Sequence, residues 1–235
     1  MSDRLNIIVT GTSRGIGAAI RAALDGHNVV GHSTRGGESE LAADFADPDQ
    51  VTAFWWQAVG LLNGRVDVIV NNAGIFEAVP IEQGDDDWLS GWERTMQVNL
   101  TASAALCRLA VLHFREKGGG RIVNVASRAA YRGDSPNHWH YAASKAGMVG
   151  MTKTIARGYA RENILAFAVC PGFTMTGMAE DYVESRGGAK LLADIPLGRV
   201  ASSEEVAETV RWLAVDAPAS ATGAVIDVNG ASYVR

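Results

Sequence analysis

Short apolar runs bounded by glycine, alternating with longer helical patterns, constrain the fold of this chain more than any other feature. The runs are Leu5–Thr10, Asn28–His32, Val66–Val70, Arg121–Ala126, Ile164–Cys170 and Ala224–Val228. Most lack strict alternation of apolar and polar residues, which is the pattern of strands covered on both faces of a parallel sheet. Helical patterns fill the intervals. One opens at Asp47-Pro48, an acidic cap followed by proline at the first helical position. Another opens at Ser202, where S-S-E-E makes a capping box ahead of an apolar run ending near Val215. No internal repeat or Pro/Ser-rich linker divides the chain, so the pattern predicts one doubly wound α/β domain with a parallel sheet over residues 1–235.

Composition narrows the function classes. Hydrophobic residues make up 47% and charged residues 20%, enough apolar side chain for a full core. Net charge is −5 with no dense basic stretch, which argues against nucleic acid or a membrane surface as a partner. No segment approaches the roughly 20 apolar residues of a membrane span. The N-terminal MSDRLNIIVTG has too short an apolar run for a signal peptide. Cys107 and Cys170 sit in apolar segments and read as small buried hydrophobes in a reducing compartment. The expected location is cytoplasmic.

The first strand runs into G-T-S-R-G-I-G, with Gly11, Ser13, Arg14, Gly15, Ile16 and Gly17 ahead of a helix beginning AAIRAAL. Glycines permit a tight turn and close backbone approach. The helix N-terminus adds free N–H groups and a positive dipole end, which together suit a dinucleotide pyrophosphate. Gly11, Ser13 and Gly15 also satisfy G-x-S-x-G, the elbow that carries a serine nucleophile. An elbow on the first strand has no preceding strand loop to build an oxyanion hole, and it leaves Gly17 unexplained. The second strand ends in His32-Ser33-Thr34-Arg35. A carboxylate here would favour NAD and a cation favours NADP. Thr34 and Arg35, with Arg14, therefore point to NADP, while Glu38 keeps NAD possible. The stretch from Arg35 to Asp44 is too short for a full helix between the second and third strands, which trims the adenine side of such a site.

Tyr141 and Lys145 stand four residues apart in YAASKAG, on one face of a helix. A free phenol titrates near pH 10, and a neighbouring ammonium would favour its ionised form. Such a pair is a proton donor and acceptor in waiting.

With Thr10-Gly11, the three loop glycines, Asn71-Asn72-Ala73-Gly74 and the Tyr141/Lys145 pair, the chain resembles the short-chain dehydrogenase/reductase family from about Leu5 to Ala231. Within that family the 3-oxoacyl-carrier-protein reductases are the default comparison. The resemblance implies a Rossmann fold and hydride transfer between a nicotinamide and a small-molecule carbonyl or secondary alcohol. It implies Asn99, Ser127, Tyr141 and Lys145 as the catalytic set. Tyr141 would exchange the proton, Lys145 would lower its pKa and hold the ribose, Ser127 would bind the reacting oxygen, and Asn99 would hold a water linking Lys145 to solvent. It places Asp44 with Phe45 at the adenine, Asn71, Ala73 and Gly74 along the cofactor, and Pro171-Gly172 with Thr174 and Thr176 beside the nicotinamide. Residues 175–195 resemble a substrate lid, and Arg128, Phe76, Trp139 and Met178 are candidate pocket residues. Family members form homodimers or homotetramers, the helix of the Tyr-Lys motif pairing across an interface.

Ser127 and Tyr141 are fourteen positions apart, one more than in close relatives, with the extra residue absorbed in the loop RAAYRGDSPNHWH. His138 and His140 lack further ligands at metal spacing and read as pocket lining. A dinucleotide-binding regulatory protein without turnover is the rival reading, and the complete set of four residues weighs against it.

Overall fold

The computed structural model describes residues 4–37, 39–175 and 192–235. Its centre is a seven-stranded sheet in which every pairing of neighbouring strands is parallel. The strands are β1 (Asn6–Val9), β2 (Asn28–Ser33), β3 (Glu40–Ala42), β4 (Val68–Asn71), β5 (Gly120–Val125), β6 (Ile164–Pro171) and, after two short strands named below, β9 (Val225–Val228). Their order is β3-β2-β1-β4-β5-β6-β9, so the winding reverses between β1 and β4. β4 and β6 are buried along their whole length, which accounts for their unbroken apolar character.

Helices cover both faces. α1 (Gly15–Ala23) and α7 (Ser203–Val215) pack together on one side, over a core that includes Ile20, Val206, Val210 and Leu213. α2 (Pro48–Leu61), α4 (Ala102–Lys117) and α6 (Trp139–Tyr159) cover the other, over Phe54, Trp55, Leu106, Phe114 and Ile155. The chain is therefore a single Rossmann-type α/β domain. Trp55 is wholly buried while its neighbour Trp56 faces outward, which assigns the pair to packing on one side only.

All six strands expected from pattern are present, with ends shifted by up to two residues. β3 was not expected. Its three residues are too few to show a period, and β2 supplies the register that makes them a strand, His32 standing opposite Leu41. The same segment forms no helix, in keeping with its length. The glycine-loop helix starts at Gly15, three residues ahead of the AAIRAAL pattern, with Gly15, Ile16 and Gly17 opening its first turn. Two further short strands, β7 (Thr174–Met175) and β8 (Ala201–Ser202), pair in parallel away from the main sheet. Between α3 (Asp85–Met96) and α4 the backbone widens into a π-helical turn, Gln97–Thr101.

The capping box is complete. The Glu205 amide donates to Ser202 Oγ at 3.1 Å, and Glu205 Oε2 accepts from the Ser202 amide at 2.8 Å. Arg199 clamps the same carboxylate with two bonds of 2.7 Å. Replacing Ser202 with alanine leaves a first-turn N–H without its acceptor, at about 1 kcal/mol. Thermal unfolding of Ser202→Ala should come about 2–4 °C lower than for the parent chain.

Candidate active site

The reversal of strand order between β1 and β4 opens a crevice at the carboxyl ends of the strands, the usual place for a ligand in such a sheet. The β1–α1 loop lies in it. Gly11 has φ +72° and Gly15 φ +56°, a region that side chains avoid. A Cβ on Gly17 would stand 1.8 Å from the Gly11 carbonyl oxygen, and one on Gly11 would stand 2.8 Å from Ala73 Cα. The loop is thus packed backbone to backbone. Asn72 holds it from the β4 side, donating to the Thr10 and Gly11 carbonyls at 2.9 and 3.0 Å, while Thr10 Oγ1 accepts from the Asn72 and Ala73 amides. α1 has no side-chain cap, so its first-turn N–H groups remain for a ligand. Ser13 and Arg14 are exposed beside them, and Ile16 packs on the core. These residues fit a dinucleotide: an uncapped helix end, no side chains in the way, and exposed polar groups at the rim. No hydrogen bond joins Ser13 to a histidine among the described residues, so the elbow reading has no base to serve it.

The adenine side is only partly as expected. Thr34 and Arg35 are exposed at the end of β2. Asp44 is half-buried and accepts from the Ala46 amide at 3.0 Å. Phe45 turns its ring inward, stacked on His32 at 3.9 Å, and leaves no face for an adenine. Glu40, which the sequence pattern did not single out, reaches under the loop and accepts from Thr12 Oγ1 at 2.7 Å. Burial pushes its carboxyl up, but bonds from Thr12 and Ser33 and the charge of Arg21 outweigh that and hold it below the ordinary value. Glu38 lies outside the described residues.

The loop after β4 and the start of α6 meet at the next part of the crevice. Asn71 is not open to it: its amide donates to Asn124 Oδ1 at 2.8 Å inside the core. Gly74 is exposed, with Asn99 Oδ1 and Lys145 Nζ 3.2 and 3.5 Å from where its Cβ would stand. The π-helical turn presents Asn99 to that spot. Its amide is spent on the chain itself, accepting from the Ile75 N–H at 2.8 Å and donating to the Ile75 carbonyl at 3.0 Å and Ser144 Oγ at 3.3 Å. Pro171 and Gly172 close the far side, the Gly172 amide bonding Val228 and the Pro171 carbonyl accepting from Arg128. Thr174 is buried, its hydroxyl on the Gly172 carbonyl. Thr176 and Met178 lie outside the described residues, as does most of the expected lid.

Tyr141 and Lys145 share a face of α6. Lys145 is 4% exposed and donates to the Val125 carbonyl at 2.9 Å, its nitrogen 5.8 Å from the Tyr141 ring centre. Burial lowers Lys145 to about 8. Burial raises Tyr141 to about 12, with the Ser127 hydroxyl pulling the other way. The expectation that Lys145 depresses the phenol is therefore corrected in this arrangement. One of the three N–H donors of the ammonium holds a backbone carbonyl, and desolvation dominates both groups.

An aromatic wall flanks Tyr141. Phe76 stands edge-on to it at 4.7 Å and lies flat on His138 at 3.9 Å, with half its surface open. Trp139 is 54% exposed. His138 and His140 are both lowered by burial, and no cluster of metal-ligating side chains occurs among the described residues. Arg128 turns away toward Asp194, 3.8 Å distant, with its Nη1 lacking a hydrogen bond. No helix among the described residues is long and apolar enough to cross a membrane.

Comparison with known proteins agrees with this geometry. The family described as enoyl-(acyl carrier protein) reductase matches residues 12–231. The nodulation protein G of Rhizobium sp. (strain N33) is 37% identical over 238 residues, 95% of this chain and 94% of the relative. The acetoacetyl-CoA reductase of Rhizobium meliloti (strain 1021) is 33% identical over 243 residues, 96% of this chain and 97% of the relative. The 3-oxoacyl-[acyl-carrier-protein] reductase FabG of Escherichia coli (strain K12) is 31% identical over 241 residues, covering 97% and 96%.

A methyl group at Gly17 cannot coexist with the Gly11 carbonyl 1.8 Å away, so Gly17→Ala must displace the loop. Titration of NADPH fluorescence should show binding lost, while far-UV circular dichroism still reports the folded sheet.

Proposed function

The chain belongs to the short-chain dehydrogenase/reductase family of NAD(P)-dependent oxidoreductases, and on that footing we propose that it reduces a carbonyl on a small molecule with NADPH, as a single 1–235 unit. The observation that supports this reading is the Tyr141 phenol next to the Ser127 hydroxyl, with the Lys145 nitrogen 5.8 Å from its ring centre. The nicotinamide, when bound, supplies the hydride to the carbonyl carbon. Every other task falls to the protein. The Tyr141 phenol, kept protonated by burial, gives its proton to the carbonyl oxygen as negative charge develops there. Ser127 donates a hydrogen bond to the same oxygen. Lys145 stabilises the phenolate left behind, and Asn99 fixes the Ile75 backbone and Ser144 around it. The sheet and its α6 crossing supply the orientation.

Substrate and cofactor preferences follow from the surroundings. The names of the relatives put 3-oxoacyl thioesters first among substrates to try, and the aromatic wall at Phe76 and Trp139 suits the apolar part of such a carbonyl compound. Arg14 and Arg35 are exposed and have no ion-pair partner among the described residues, which supports NADP. The Glu40 carboxylate accepts from Thr12 beneath the loop. Pairing of α6 with a second copy, in a homodimer or homotetramer, is part of the same reading.

Oxidation of NADPH at 340 nm with 3-oxoacyl thioesters and small ketones tests it. Tyr141→Phe should lower kcat by about 10²–10⁴ with NADPH affinity unchanged. Reductive turnover by the parent enzyme should decline as pH rises through about 8, where Lys145 loses its charge. Equal turnover by Tyr141→Phe would refute the proposal. Arg35→Ala should weaken NADPH binding about ten- to a hundredfold, as expected for losing a bond to a charged group, and leave NADH unaffected.

A further inference from the structure

We infer that His32 is a positioning residue for the dinucleotide loop and that its neutral form alone holds the loop in its binding geometry, an inference that rests on the cofactor reading above. His32 stands on β2, directly behind the first turn. Its Nδ1 accepts from the Gly11 amide at 3.1 Å, and its Nε2 lies 2.9 Å from the Ala43 carbonyl. An amide can only donate and a carbonyl can only accept. The ring must therefore accept at Nδ1 and carry its proton at Nε2, which fixes both the tautomer and the neutral state. A second proton would sit on Nδ1 and face the Gly11 N–H, donor against donor.

Neither side can yield without moving the loop. The ring is held by Phe45, stacked at 3.9 Å, and by Phe54 of α2, edge-on at 5.0 Å. Its backbone is tied to Thr12 through the Thr12 amide at 2.8 Å and Thr12 Oγ1 at 3.1 Å. Gly11 is hemmed in by Ala73 on the far side. The ring is 3% exposed, and burial lowers its basicity, while the Ala43 carbonyl, Glu40 of β3 and Asp44 just beyond it work the other way. Arg21 of α1 faces Glu40 at 3.8 Å and tempers its charge. α2 contributes only an apolar ring at this point, and the loop contributes only Gly11 and Thr12. The net result is a histidine that is neutral at pH 7 and charges only in acid.

The linkage has a definite sign. A base with a lowered pKa in the folded chain contributes its full stability above the ordinary 6.5, and that contribution fades as pH falls from 6.5 through the folded value. Dinucleotide affinity follows the neutral fraction, so it should fall about tenfold for each pH unit below the folded ring's pKa.

The test uses the full chain with ¹⁵N-labelled glycine and ¹³C-labelled histidine. Titrated from about pH 8 to pH 5 without nucleotide, the Gly11 amide shift should track the His32 ring with one midpoint below 6.5. In parallel, NADPH binding is measured by fluorescence for the parent chain and for His32→Asn, which keeps an acceptor near the Nδ1 position but cannot titrate. The affinity of His32→Asn relative to the parent should grow toward acid, since any titration of the nucleotide cancels between them. Parallel affinity profiles, as a merely structural role would produce, or a Gly11 amide indifferent to the His32 titration, would overturn the inference. Should His32→Asn fail to fold, the labelled parent chain decides alone. If neither protein binds NADPH at the alkaline end, the cofactor reading fails, and the coupled shifts still decide whether His32 governs the loop.

Discussion

The close backbone contact between the β1–α1 loop and the segment after β4 is the constraint on which the rest of the site depends. Gly11, Gly17, Asn72 and Ala73 meet with no space for a side chain between them. The strand order reverses at this point, which is where ligands bind in sheets of this kind. Were Gly11 or Gly17 to carry a side chain, the loop would have to lift from the segment after β4. Thr10, Asn72 and His32 then act as three tethers on a loop that has almost no side chains of its own.

Burial sets the chemistry on the opposite wall. Placing an ammonium and a phenol together inside a protein disfavours both charged forms, and here it does so more strongly than the pair attract each other. The outcome is a proton kept on the phenol and an ammonium anchored to β5 through Val125. Such a site is set to give a proton to an oxygen that becomes strongly basic during the reaction. Both shifts come from desolvation, a property of the fold, rather than from any single contact.

How much of this was legible in the sequence depends on whether the signal was local. The parallel sheet, the two helix caps and the glycine loop are written in short windows, where spacing and residue type act on their own neighbourhood. β3 was not legible, because three residues have no period and only the edge of β2 makes them a strand. The shift of Tyr141 was read with the wrong sign. Helical spacing shows that Lys145 is near, but it cannot show that the Val125 carbonyl takes the ammonium's hydrogen bond or that both groups are dry. Phe45 and Asn71 were assigned to the cofactor by position in a motif, and their side chains proved to belong to the core.

His32 and Glu40 show the same limit from the other side. Their hydrogen-bond partners on the loop are remote in sequence, Gly11 for His32 and Thr12 for Glu40, so no local pattern marks either residue. Their roles arise because β2 and β3 run side by side under the first glycine turn, so that two ionisable groups from separate strands reach the same loop from below. A carboxylate bonded by Thr12 and faced by Arg21, and an imidazole bonded to Gly11 and Ala43, hold that underside in shape.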